Sequence, residues 1–242
     1  TSHQTGATDL DPLADIDLGA RDELLAERIR NDFGSMREPF FAVAHFGNTH
    51  IPYRIDKADA PFQPAVDSRA PEDNDAYRNY FLNAVYLQDK TIGETIKFVQ
   101  AQPFGARTII VFTSDHGESF RDHGQLGHTS SILDEEIHVP AWIDAPEGTL
   151  TDTERKAIES HRTDLLFHVD LVPTILDLMG LENEPAFAKY YEAMVGRSLL
   201  RPIERTEPMA LTNCAGVWGC AFRNWGMMSG SKKLEAREWD TA

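Results

Sequence analysis

The feature that most constrains this chain is a run of five residues, Thr108-Ile109-Ile110-Val111-Phe112, followed at once by Thr113-Ser114-Asp115-His116-Gly117-Glu118. The run is β-branched and aromatic with no polar alternation, the pattern of a strand buried on both faces of a parallel sheet. A second such run, Phe40-Phe41-Ala42-Val43-Ala44-His45-Phe46, is read the same way, and a third short strand is expected over 137–143. Helical periods separate them. Leu24, Leu25, Ile29 and Phe33 recur three to four apart over 21–33, and Tyr77, Phe81, Val85, Ile92, Ile96 and Val99 form a longer stripe closed by Pro103 and Gly105. Asp170 is placed to cap a helix over 171–179, with Pro173 in its first turn and Gly180 as its stop.

Strands alternating with helices predict an α/β fold with a mostly parallel sheet. Residues 1–20, polar and acidic, read as loop, as do 52–75 with their four prolines. After Gly196 the segments shorten and suit a small antiparallel appendage. The expected division is therefore 1–200 and 201–242.

Charge removes some functions. The chain carries 23 basic and 39 acidic side chains, a formal charge of −16. Phosphate contacts need a clustered basic surface, so a nucleic-acid partner is not expected. No apolar run approaches the ~18 residues of a membrane span. The start, Thr1-Ser2-His3-Gln4-Thr5, has neither an initiator Met nor a signal pattern and reads as a cut end. A membrane segment, if there is one, would precede it. Cys214 and Cys220 are too few for a disulfide framework and are not spaced as a zinc knuckle. Extracytoplasmic and cytoplasmic locations both stay open.

Ligand sites in open α/β sheets form beyond the carboxyl ends of strands, where Asp115 and His116 fall. One carboxylate and one imidazole suit a transition metal, while the plainer reading is an Asp capping a helix beside a surface His. Gly117 would let the backbone turn away from both. Four of the nine histidines, His116, His123, His128 and His138, lie within 23 residues, a clustering that points to metal or acid–base chemistry. His138, before Val139-Pro140, reads as a core histidine. His123 is balanced between the two. His128, in a loop after Gly127, leans toward function. His50, in Asn48-Thr49-His50-Ile51-Pro52-Tyr53, leaves the 40–46 run at the equivalent end, and is either a turn residue or a partner of the same site.

Several blocks together, FFAVAHFGNTHIPY, NAVYLQDKTIGETIKFV, IIVFTSDHGESFRDHGQLGHTSSILDEEIHVPAWIDAP, HVDLVPTILDLMGL and Gly196-Arg197-Ser198-Leu199-Leu200, resemble the sulfatase family of the alkaline-phosphatase superfamily. The resemblance covers 40–200 and implies an α/β/α sandwich. It implies that Asp115 and His116 are metal ligands. His50 would contact the sulfate or phosphate group and assist the leaving oxygen, and His128 would face the same anion. A dication flanked by imidazoliums is the clamp such an ester needs.

Two departures qualify the resemblance. The family's nucleophile motif, Cys/Ser-x-Pro-x-Arg, occurs nowhere in the 242 residues, nor do the early metal carboxylates. The chain resembles the later half of such an enzyme and is expected to be inactive alone, its missing half being its partner. Many sulfatases also pair Asp with Asn and bind Ca²⁺ through oxygens; with His116 the site should favour Mn²⁺ or Zn²⁺ over Ca²⁺. The expected function is a metal-dependent hydrolase of sulfate or phosphate esters. The alternatives are an envelope phosphoethanolamine or glycerophosphate transferase and a non-catalytic binding domain.

Overall fold

The computed structural model describes residues 4–10, 19–128, 131–212 and 224–237. They form two compact units, Thr1–Thr108 and Ile109–Ala242.

The first unit holds α1 (Ala7–Leu10), α2 (Asp22–Phe33) and α3 (Asn74–Gln100). α2 and α3 appear where the apolar periods place them. The buried line of α3 runs through Tyr77, Ala84, Thr91, Thr95 and Val99, whereas Val85 is exposed. The covered face is thus offset by one residue from the apolar stripe over much of the helix. Phe33, Phe40 and Phe104 form an aromatic triad with ring centroids 5.2–5.9 Å apart, and Tyr53 packs on Tyr77 and Phe81. The loop over 52–75 is pinned to α3 by Asn83, which donates to the Phe62 carbonyl and accepts from its N–H, both at 2.9 Å.

The expected strand over 40–46 is corrected here. All of these residues lie outside any strand or helix, and Phe41 and Val43 are 56% and 80% exposed. The reason is that a strand's hydrogen bonds come entirely from its neighbours. Among the described residues no strand pairs with this segment.

The second unit begins with β1 (Ile110–Thr113), the expected strand shifted by a residue or two. It continues through β2 (Ser119–Phe120), β3 (Leu126–Gly127), α4 (Asp134–Ile137), β4 (Ala141–Asp144), α5 (Asp152–Ser160), α6 (Leu171–Leu178) and α7 (Ala188–Ala193). It ends with β5 (Met209–Thr212), β6 (Asn224–Ser229) and β7 (Lys232–Arg237). The third strand starts at Ala141 rather than 137, because a turn of helix occupies Asp134–Ile137. Pro140, which has no N–H for a ladder, precedes it.

Strand pairs among the described residues are antiparallel: β1 with β4, β2 with β3, and β5–β6–β7 in one sheet. The last sheet is the expected antiparallel appendage. It belongs to the second unit, because Gly226 packs on Ile132 and Lys233 donates to the Ile132 carbonyl and the Asp134 carboxylate. Part of that expectation, with Cys214 and Cys220, lies outside the described residues. Among the described residues no helix is long and apolar enough to cross a membrane.

α6 runs as the sequence implies, with Gly180 at φ +70° beyond its end. Asp170 precedes the helix but does not cap it. Its buried carboxylate accepts from the N–H groups of Phe167 and Arg197 and from the Arg205 guanidinium at 2.6 Å.

Candidate functional site

The second unit assembles its site from the end of β1 and one hairpin. Leaving β1, the chain turns through Ser114, whose hydroxyl donates to the His116 carbonyl at 2.8 Å. Gly117 then passes against the α4 turn: its N–H donates to the Glu136 carbonyl at 2.8 Å, and a Cβ there would lie 2.2 Å from the Glu135 carbonyl oxygen. Only glycine fits this approach. The β2–β3 register pairs Ser119 with Gly127, which sets the flanking Glu118 and His128 opposite each other. Gly127 has φ +95°, the left-handed region where a side chain is strained.

Three of the expected residues come together here. The rings of His116 and His128 stack with centroids 4.0 Å apart. His128 Nδ1 lies 3.2 Å from a carboxylate oxygen of Glu118, whose side chain is only 6% exposed. That hydrogen bond raises the His128 pKa above the ordinary imidazole value. Partial burial opposes the rise, and the Glu118, Glu136 and Asp115 charges add to it.

His116 Nδ1–H donates to the Gly117 carbonyl at 2.8 Å, which orients the ring and leaves Nε2 outside that bond. That Nε2 lies 3.6 Å from Asp115 Oδ2, and the Asp115 side chain is 74% exposed. One nitrogen and one oxygen so placed, with the other ring nitrogen held by a carbonyl, match two adjacent metal ligands. Among the described residues no group of three or more such side chains is gathered. The donor set therefore fits part of a metal site.

His50 belongs to the first unit, where its turn is built separately. Its N–H donates to the Gly47 carbonyl at 2.9 Å, and the residue is exposed. His123 is exposed and paired with Glu135 at 2.7 Å, outside the stacked pair. The core reading of His138 is corrected: it is exposed, following α4 where the helix stops. His168 was not foreseen. Its Nε2–H donates to the Ser114 carbonyl at 2.8 Å and ties the approach to α6 to the Asp115 turn. Its place in His168-Val169-Asp170, next to the residue read as a cap, was the available signal.

Beyond β1, an acidic turn thus brings one carboxylate and two stacked imidazoles together in the second unit. The chain belongs to the sulfatase family, whose model, described as Sulfatase, matches residues 4–181. Human iduronate 2-sulfatase is 25% identical over 61% of this chain and 37% of its own length. Choline-sulfatase of Rhizobium meliloti is 28% identical over 57% of this chain and 25% of its own. Among solved structures, yidJ of Bacteroides fragilis, itself assigned to the sulfatases, superposes with a TM-score of 0.61 at 19% identity. That match covers 90% of this chain and 49% of the other. A 2-O GAG sulfatase gives a TM-score of 0.55 at 17% identity, covering 95% and 57%. These structures share the sulfatase fold, and this chain spans about half their length.

Proposed function

We propose that this chain carries the metal- and anion-binding side of a metal-dependent sulfate-ester hydrolase. Asp115 and the Nε2 of His116 would hold a divalent cation, with Mn²⁺ or Zn²⁺ preferred to Ca²⁺ because one donor is nitrogen. When bound, such a cation polarises the ester oxygens as a Lewis acid. His128, whose protonated form Glu118 favours, attracts the sulfate. His50 meets the leaving oxygen and supplies its proton. The nucleophile and the remaining ligands come from residues outside these 242.

The single observation that carries the reading is the stacked His116–His128 pair, with different hydrogen-bond acceptors under its two rings. Two imidazoles 4.0 Å apart are costly if both are charged. The carboxylate under His128 favours its protonated form, whereas the ring of His116 bonds only a carbonyl through Nδ1.

The test is Mn²⁺ titration of the full chain by electron paramagnetic resonance, with sulfate added while the His128 ring is followed by NMR. Weak Mn²⁺ binding lost in both Asp115→Ala and His116→Ala, with a sulfate-induced shift at His128, supports the assignment. Undiminished binding in both variants overturns it. Aryl sulfate turnover by the chain alone, abolished by Ser114→Ala, would place the nucleophile inside these residues.

A further inference from the structure

Asp22 stands at the first residue of α2, where an acid is ordinarily a favourable neighbour of the helix N-terminus. Here it does something more specific. Its side chain is buried, and its carboxylate accepts the Gly47 N–H at 2.6 Å, the Asn48 N–H at 3.3 Å and the Gln88 amide at 3.1 Å. The exchange is reciprocal, since the Asp22 N–H donates to the Asn48 side-chain oxygen at 3.3 Å. Gln88, from α3, also accepts from the Thr49 hydroxyl at 3.4 Å. The Asn48 carbonyl is taken by the Arg54 N–H at 3.0 Å. Gly47, Asn48 and Thr49 are thus fastened to both long helices, and the residue they deliver is His50.

We infer that Asp22 is the positioning residue of the His50 turn, its carboxylate and Gln88 fixing where the imidazole stands. This rests on the reading that His50 faces the ester. A lone acid at a helix start would not require this, but an acid fully withdrawn from water needs every bond it makes. The turn has little slack, because the Asn48 side-chain nitrogen is already buried with no hydrogen-bond partner among the described residues. Removing the carboxylate would leave further buried donors unsatisfied. In Asp22→Asn the amide retains one acceptor oxygen, enough for the closer Gly47 N–H. It then presents donors to the Asn48 N–H and to Gln88.

The test uses the full chain, with amide hydrogen exchange read residue by residue and the His50 ring followed by NMR during sulfate titration. In Asp22→Asn the Asn48 amide should exchange about tenfold faster, with a smaller change at Gly47 and wild-type rates inside α2 and α3. The sulfate-induced shift at His50 should need several-fold more sulfate. Gln88→Leu, which removes one bond to the carboxylate and one to Thr49, should give the same pattern more weakly and serves if the first variant does not fold. Unchanged exchange at Gly47 and Asn48 overturns the inference. So does uniform acceleration across α2 and α3 in both variants, which would make Asp22 a support of the whole unit. Faster Asn48 exchange with no sulfate response at His50 in the wild type leaves Asp22 holding the turn and removes His50 from the ester site.

Discussion

Gly117→Ala should be among the most damaging single methyl additions in the second unit. The new Cβ would stand 2.2 Å from the Glu135 carbonyl oxygen and 3.1 Å from the Glu135 carbonyl carbon, whereas ordinary contact begins near 3.4 Å. The turn must retreat by about 1.2 Å, and both atoms it meets are backbone, with no side chain to swing aside. The same retreat stretches the Gly117 N–H bond to the Glu136 carbonyl from 2.8 Å to roughly 4 Å, beyond hydrogen-bond range. Overpacking costs about 1–3 kcal/mol and the lost bond about 0.5–1.5 kcal/mol. A total near 3 kcal/mol corresponds to a Tm lower by roughly 6–12 °C in a chain of this size.

Thermal unfolding followed by circular dichroism measures this, with Gly34→Ala as control. Gly34 is in the right-handed helical region and has nothing near its would-be Cβ, so its variant should stay within about 0.5 kcal/mol of wild type. Because His116 precedes Gly117 and bonds its carbonyl, Mn²⁺ affinity should fall with stability. A Gly117→Ala protein melting within ~2 °C of wild type with unaltered metal affinity would show that the turn yields freely, and would refute the close-approach argument.

Gly93, inside α3 with open space where a Cβ would stand, should become an advantage as Ala; Gly93→Ala is expected to raise stability by about 0.4–1 kcal/mol in urea unfolding. Thr151→Ala removes a capping box in which the Thr151 hydroxyl and Glu154 satisfy each other's backbone donors, and should cost about 1 kcal/mol by the same assay. Glu118→Gln should move the His128 titration, read by NMR, back toward the ordinary imidazole value. The hydrogen bond to Glu118 is the chief cause of the rise. The folded value lies above the unfolded one, so the stability from this pair is complete below about pH 6.5 and is lost as pH rises through the His128 value. The variant should flatten that fall, and an unchanged pH profile would mean that Glu118 does not hold the proton.

Much of this was legible in the sequence where local chemistry decides the outcome. α2, α3 and α6 follow apolar periods and end at turn residues, and Asp115, His116 and His128 are flanked by glycines that permit close approach or a left-handed turn. What was not legible depends on distant partners. Phe41 and Val43 look buried by composition, yet burial of a strand is a property of its neighbours. Asp22 and Asp170 both resemble ordinary helix-start acids, and only the fold shows that their carboxylates are spent on Gly47 and Asn48 in one case and on Arg197 and Arg205 in the other. His138 carries no local mark of its exposure, and His168 none of its tie to the Ser114 carbonyl beyond its place before Asp170.

In the proposed reading, a strongly acidic chain still builds a locus for an anion at its histidine cluster. A net charge of −16 repels a free sulfate at long range, but beyond about a Debye length of ~8 Å in physiological salt that field is screened. Within that distance, local arrangement decides. Glu118 is almost wholly buried and its carboxylate meets His128 Nδ1, which favours the protonated ring. Asp115 stands exposed on the neighbouring turn, where a cation would neutralise it. In the proposed reading Glu118 is matched to the His128 proton and Asp115 to a bound cation. Acidity over the rest of the surface is compatible with the proposed anion chemistry because that field is screened beyond the Debye length.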